Sequence, residues 1–108
     1  MTIGWNGVEF SDPVRIADWE PPMRAGVYAV SVPSGKPNVF NLIYVGESGN
    51  LSERGFYRQH HKFGCWMNKA GSLDNIFISI RLMPGSGPEE RRGVEAQTIG
   101  TWQLDCQD

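Results

Sequence analysis

Glu95 is the residue whose position makes the sharpest chemical demand. In a helix opened by Pro88 it lies four residues before Ile99 and seven before Trp102, so it shares that helix's apolar stripe. A carboxylate there is costly unless it is paired or binds a cation. The plainer alternatives are an ion pair with Arg91, one turn earlier, or partial exposure. Arg54 and Arg58, one helical turn apart, would offer two planar forks of donors to phosphate oxygens, or else form a solvated basic face. His60, His61 and Cys65 invite a zinc reading, but adjacent histidines on a helix point apart and no second ligand pair exists, so structural or surface roles are expected. Neither Ser48 nor Cys65 sits in an elbow or partner pattern that would make it a nucleophile. Tyr28 and Tyr44, flanked by Gly26 and Gly46, read singly as core or edge residues of strands.

Positioning these groups falls to a short run of elements. Residues 1–25, broken by Pro13, Pro21 and Pro22, read as an irregular lead-in whose Trp5, Phe10 and Trp19 pack on the main body. Gly26 to Val32 and Val39 to Gly46 read as two strands joined by a Pro-Gly-rich turn, an antiparallel hairpin. Asn50 is a good N-cap with Glu53 three positions on, which predicts a helix from there to about His61 or Phe63, with Gly55 making a close approach inside it and Phe56 on another face. Phe63 to Asp74 reads as a loop or short irregular helix, Asn75 to Leu82 as an alternating third strand, and Pro88 to about Trp102 as a second helix. The expected fold is a small α/β (α+β) sandwich: a three-stranded antiparallel sheet flanked by helices in β-β-α-β-α order, with residues 26–108 as the domain.

Length and composition bound the remaining possibilities. The 108 residues make one domain, and 40% hydrophobic with 20% charged residues excludes wholesale disorder or a coiled coil. No apolar run approaches the ~20 residues needed to cross a bilayer. Met1 to Asn6 has no basic stretch followed by an apolar one, so no signal peptide and a cytoplasmic location are expected. The net charge of -2 argues against a dedicated nucleic-acid binder, which usually carries a basic surface. Its distribution is uneven, since Arg54, Arg58, Lys62 and Lys69 face a single acid between Glu53 and Lys69, a segment that could meet phosphate. Two cysteines, Cys65 and Cys106, are too few for a disulfide scaffold and are expected as reduced thiols.

Taken jointly, Gly26-Val27-Tyr28, then Tyr44-Val45-Gly46-Glu47-Ser48-Gly49-Asn50-Leu51, then Arg54, resembles the GIY-YIG nuclease family. Its tripeptides stand here as GVY and YVG, Arg54 lies eight residues past Gly46, and Glu95 precedes Ile99 in the second helix. The resemblance covers about residues 26 to 102. A histidine often follows the family arginine by a turn. Arg58 occupies that place here, with His60 or His61 as substitutes. The asparagine usual after the glutamate helix has only Gln107 or Asp105 to stand in for it.

The resemblance implies a metal-dependent DNA endonuclease that hydrolyses phosphodiester bonds. Glu95 would hold Mg²⁺ or Mn²⁺, Arg54 and Arg58 would neutralise transition-state charge, and Tyr28, helped by Tyr44, would deprotonate or orient the attacking water. A phenol with its ordinary pKa near 10 needs nearby positive charge for that role. His61, Lys62 and Lys69 would contact DNA, and a protein partner could supply specificity. The alternative is a related domain with impaired catalysis that binds nucleic acid or protein. A small cytoplasmic enzyme unrelated to nucleic acids is the third reading.

Overall fold

The computed structural model describes residues 2–54 and 57–107, and of Arg54 the backbone alone. The readings made above for Gly55, Phe56 and the Arg54 side chain lie outside the described residues. The chain forms a mixed α+β fold with two antiparallel sheets and two α-helices. Strands β1 (Thr2–Trp5) and β2 (Val8–Ser11) make a hairpin. Strands β3 (Val14–Arg15), β4 (Gly26–Pro33), β5 (Phe40–Ser48) and β6 (Phe77–Leu82) make a four-stranded sheet in the order β3-β6-β4-β5. Helix α1 spans Phe63–Ala70 and α2 spans Pro88–Ile99.

Three expectations need correction. The sheet has four strands rather than three, because the lead-in is structured: Asn6 and Gly7 take positive φ (53° and 80°) at the tip of the β1–β2 hairpin, and Val14 and Arg15 pair with Ile78 and Phe77. An Asn-Gly turn between alternating apolar residues is the strongest short-range hairpin signal a sequence carries. The helix expected from Asn50 is replaced by two single 3-10 turns, Leu51–Arg54 and Tyr57–Gln59, and the α-helix starts at Phe63. Asn50 does cap the first of these turns, its side chain accepting from both the N–H and the hydroxyl of Ser52, but Ser52, Tyr57, His60 and His61 are weak helix formers and do not carry a helix onward. The expected reach of Glu53 back to the cap is pre-empted, since the Asn50 N–H donates to Ser48 Oγ at 3.1 Å.

The third correction concerns the cysteines. Cys65 in α1 and Cys106 in the C-terminal segment form a disulfide, with Cα atoms 5.8 Å apart. Spacing along the chain carried no hint of the pair, which only the fold brings together. The bond tethers a segment that also docks on the outer edge of β5. There the Cys106 N–H donates to Ile43 O, and the Gln107 amide bonds both the N–H and the C=O of Val45 at 2.9 and 3.0 Å. Closing a loop with a sequence separation of 41 restricts the unfolded chain, so Cys106→Ser is expected to cost about 3–4 kcal/mol, read from urea unfolding under non-reducing conditions. Equal stability of variant and parent would show that the bridge restricts nothing.

Strand β4 is one of the two inner strands and is buried on both faces, with alternate residues feeding two cores. Tyr28 and Val30 face α1, where Ile16, Tyr44, Leu51, Trp66, Ile76 and Ile78 complete one cluster. Val27 and Ala29 face the other way with Val45, against Trp5, Val8 and Phe10 of the hairpin and Val94 and Ile99 of α2. A bulge skips Ile43 between the pairs Val30↔Tyr44 and Ser31↔Leu42, so Ile43 and Tyr44 both join the α1-side core. Helix α2 stops at Ile99, earlier than expected. Asn6 Nδ2 donates to the carbonyls of Thr98 and Ile99, so the hairpin caps the helix, and Trp102 lies beyond it, 44% exposed. Among the described residues no helix is long and apolar enough to cross a membrane.

Candidate functional site

The two tyrosines come together, and a histidine joins them. Tyr28 and Tyr44 stand on adjacent strands with ring centroids 6.1 Å apart, 3% and 9% exposed. Tyr28 pairs across the ladder with Gly46 and lies over it, so a Cβ at position 46 would occupy the space of the phenol. Gly46 is therefore required by close approach. The turn at 57–59 then delivers His60, whose Nε2 is 2.9 Å from Tyr28 Oη. Its Nδ1 accepts the Lys62 backbone N–H at 3.0 Å. An Nδ1 that accepts carries no proton, so the network assigns the neutral tautomer with its proton on Nε2, donating to Tyr28 Oη. Trp66, from α1, backs the group at 4.5 Å from His60 and 5.6 Å from Tyr44.

The histidines do not point apart. Without a helix through 60–61 their rings stack, 4.6 Å between centroids and 16° between planes, with His60 half-buried and His61 exposed. Cys65 is held in the disulfide and has no thiolate to offer zinc, and among the described residues no group of three or more His, Cys, Asp or Glu could hold a metal. The basic residues lie on the same segment of chain. Arg58 is exposed with its guanidinium 5.5 Å from the Tyr57 ring, Lys62 is half-buried at the start of α1, and Lys69 is exposed in its last turn. Arg54 ends the turn Leu51–Arg54.

Glu95 stands on the other side of the sheet. Glu47 pairs with Val27, so its side chain shares the α2 face, and Glu95 faces Glu47 there. Of the plainer alternatives for Glu95, the ion pair with Arg91 is taken up by Glu47 instead: Arg91 Nε donates to Glu47 Oε1 at 2.8 Å, and Nη1 donates to Ser86 O at 2.6 Å and to Ser86 Oγ at 3.2 Å. Gly49 lets this guanidinium lie close, an ideal Cβ there being 3.4 Å from Nη2. The phenols and the carboxylates therefore do not share one contiguous cluster. They flank the same stretch, Gly46 to Gly49 at the end of an outer strand, from its two sides.

Desolvation, and after it the repulsion of Glu47, raise the pKa of Glu95 above its ordinary value of 4.5, against a smaller opposing pull from Arg92. The folded protein then keeps the Glu95 proton to higher pH than the unfolded chain does. That contribution to stability is complete below pH 4.5 and is lost as the pH rises through the raised value. Unfolding midpoints of parent and Glu95→Gln are expected to diverge in this sense, the variant gaining on the parent as the pH climbs from 4 to 8. A constant difference across that range would show that the carboxyl feels neither burial nor Glu47.

Sequence reasoning singled out the tyrosines and Glu95, named His60 only as a substitute, and missed the partnership of Glu47 with Arg91. The signal for that pair was present, because Glu47 follows a Tyr-Val-Gly strand and lies on the α2 face with Val45. Compared with protein-family models, with curated proteins and with solved structures, the chain matches none.

Proposed function

We propose that the chain is a GIY-YIG-type, divalent-metal-dependent DNA endonuclease acting at the Gly46–Gly49 end of β5. The observation that carries the reading is the Tyr28–His60 bond over Gly46, in which a hydrogen-bonded imidazole fixes a phenol on the strand pair that carries the GVY and YVG tripeptides. The Nε2–H of His60 would donate to Tyr28 Oη and stabilise its phenolate form, which takes the proton from the attacking water and becomes a neutral phenol as the hydroxide adds to phosphorus. Tyr44 and Trp66 exclude solvent from the far side of the imidazole. Arg54 and Arg58 neutralise charge on the scissile diester, and Lys62, Lys69 and His61 hold the flanking phosphates.

Glu95, with Glu47 beside it, would hold Mg²⁺ or Mn²⁺. The donor set fits, since a cation relieves the repulsion between the two carboxylates, and magnesium needs only one or two protein carboxylates because it keeps several waters. Bound there it supplies Lewis-acid stabilisation of the leaving oxygen. A cytoplasmic location belongs to this reading, with Cys65–Cys106 then a bond that a reducing compartment opens.

One observation favours a second reading. The sheet lies between the phenols and Glu95, which suits a domain with impaired catalysis that binds nucleic acid or a protein. Supercoiled plasmid separates the two. The endonuclease nicks it with Mg²⁺ or Mn²⁺ and stops in chelator, whereas the binding module retards it in a gel and leaves it intact at every metal concentration.

A further inference from the structure

The rings of the patch run from buried to exposed, with Trp66 tilted against His60 and His60 stacked on His61. Trp66 is buried at 1% exposure, His60 lies 4.5 Å from it and is half-buried, and His61 lies 4.6 Å beyond, nearly parallel and exposed. His60 cannot swing away, because both its nitrogens are engaged, by Tyr28 Oη and the Lys62 N–H. His61 therefore rests on a fixed ring. With one face against His60, its exposure comes from its edges and its outer face. An exposed flat ring backed by a second ring, on a segment of chain that also carries Arg58, Lys62 and Lys69, has the two parts of a single-strand site: a π-surface for a base and cations for the backbone.

We propose that the outer face of His61 is a stacking platform for one unpaired nucleobase, so that the chain prefers single-stranded DNA to a closed duplex. This rests on the reading of the chain as a DNA-directed domain and names the form of DNA it takes. A base inside a duplex has both faces covered by its neighbours and cannot reach such a platform without unstacking. An unpaired base meets it at no such cost.

The test is binding in EDTA, where no cleavage occurs, using a fluorescent 12-nucleotide single strand carrying 2-aminopurine and the duplex of the same sequence. The parent is expected to bind the single strand about tenfold more tightly than the duplex and to quench the 2-aminopurine. His61→Ala should lose about tenfold on the single strand and lose the quenching, while duplex affinity falls only by the small share of one phosphate contact. His61→Phe, which keeps the flat face without the imidazole, should restore both. The proposal is overturned if the duplex binds as well as the single strand, if His61→Ala weakens both equally or neither, or if phenylalanine does no better than alanine. These failures are separable from failure of the nuclease reading. Nicking that persists while the stacking results fail removes the platform alone, and stacking without any nicking removes the hydrolase alone.

Discussion

Glu95→Gln is expected to lower metal-dependent plasmid nicking by at least about 100-fold, the scale on which a single electrostatic contribution to a transition state is usually felt. The amide keeps the volume and polarity of the side chain and removes its charge, which is the property that would retain a divalent cation beside Glu47. Folding should not suffer. The carboxylate is half-buried, with its protonated form favoured by desolvation and by Glu47, so a neutral amide at neutral pH relieves a cost. The expected signature is thus an unfolding midpoint at or above the parent's together with lost cleavage. Lost cleavage with a lowered midpoint would mean that Glu95 serves the fold, and would count against its role as a cation ligand.

The largest effect on stability should come from Arg91→Ala, at about 3–5 kcal/mol, measured by urea unfolding at neutral pH. Arg91 is 6% exposed and joins three elements: α2 carries it, Glu47 of β5 receives its Nε, and Ser86 in the loop before α2 receives Nη1. Removing it leaves the Glu47 carboxylate, whose side chain is 20% exposed, facing Glu95 without its cation. Glu47→Gln should cost much less, because the amide oxygen still accepts from Nε and the bonds to Ser86 remain. Arg91→Lys should rescue little, since one ammonium cannot span partners that the planar guanidinium reaches from two nitrogens. If alanine and lysine at 91 both leave the midpoint within experimental error, the pair is a surface contact and the account of α2 docking fails.

What could be read from the chain, and what could not, follows from the range of the interactions involved. Strands β4 and β5 were legible because Val27, Tyr28, Val30, Tyr44 and Val45 carry their own β preference, and the turn between them is dense in proline and glycine. The start of α2 was legible for the same local reason, with Pro88 in its first turn and Glu89 and Glu90 behind it. The segment from Asn50 to His61 was misread because a capping pattern speaks only for the first turn, which Asn50 does cap, and Ser52, Tyr57, His60 and His61 have little helix preference with which to extend it. The fourth strand, the disulfide and the Arg91–Glu47 pair all depend on residues brought together from far along the chain. A face can be deduced from alternation, as for Tyr28 and Tyr44. The partner waiting on that face, His60 or Trp66, cannot.

The central claim is that groups on the two faces of one sheet, Tyr28 on the α1 side and Glu95 on the α2 side, serve a single reaction around the end of β5. The most direct measurement is the initial rate of Mg²⁺-dependent nicking by the parent, Tyr28→Phe, Glu95→Gln and the double variant. Each single change is expected to remove at least about 100-fold, and the double variant should be little slower than either single one, as groups acting on one transition state require. A single variant that nicks at the parent's rate, or two losses that multiply in full, would contradict it.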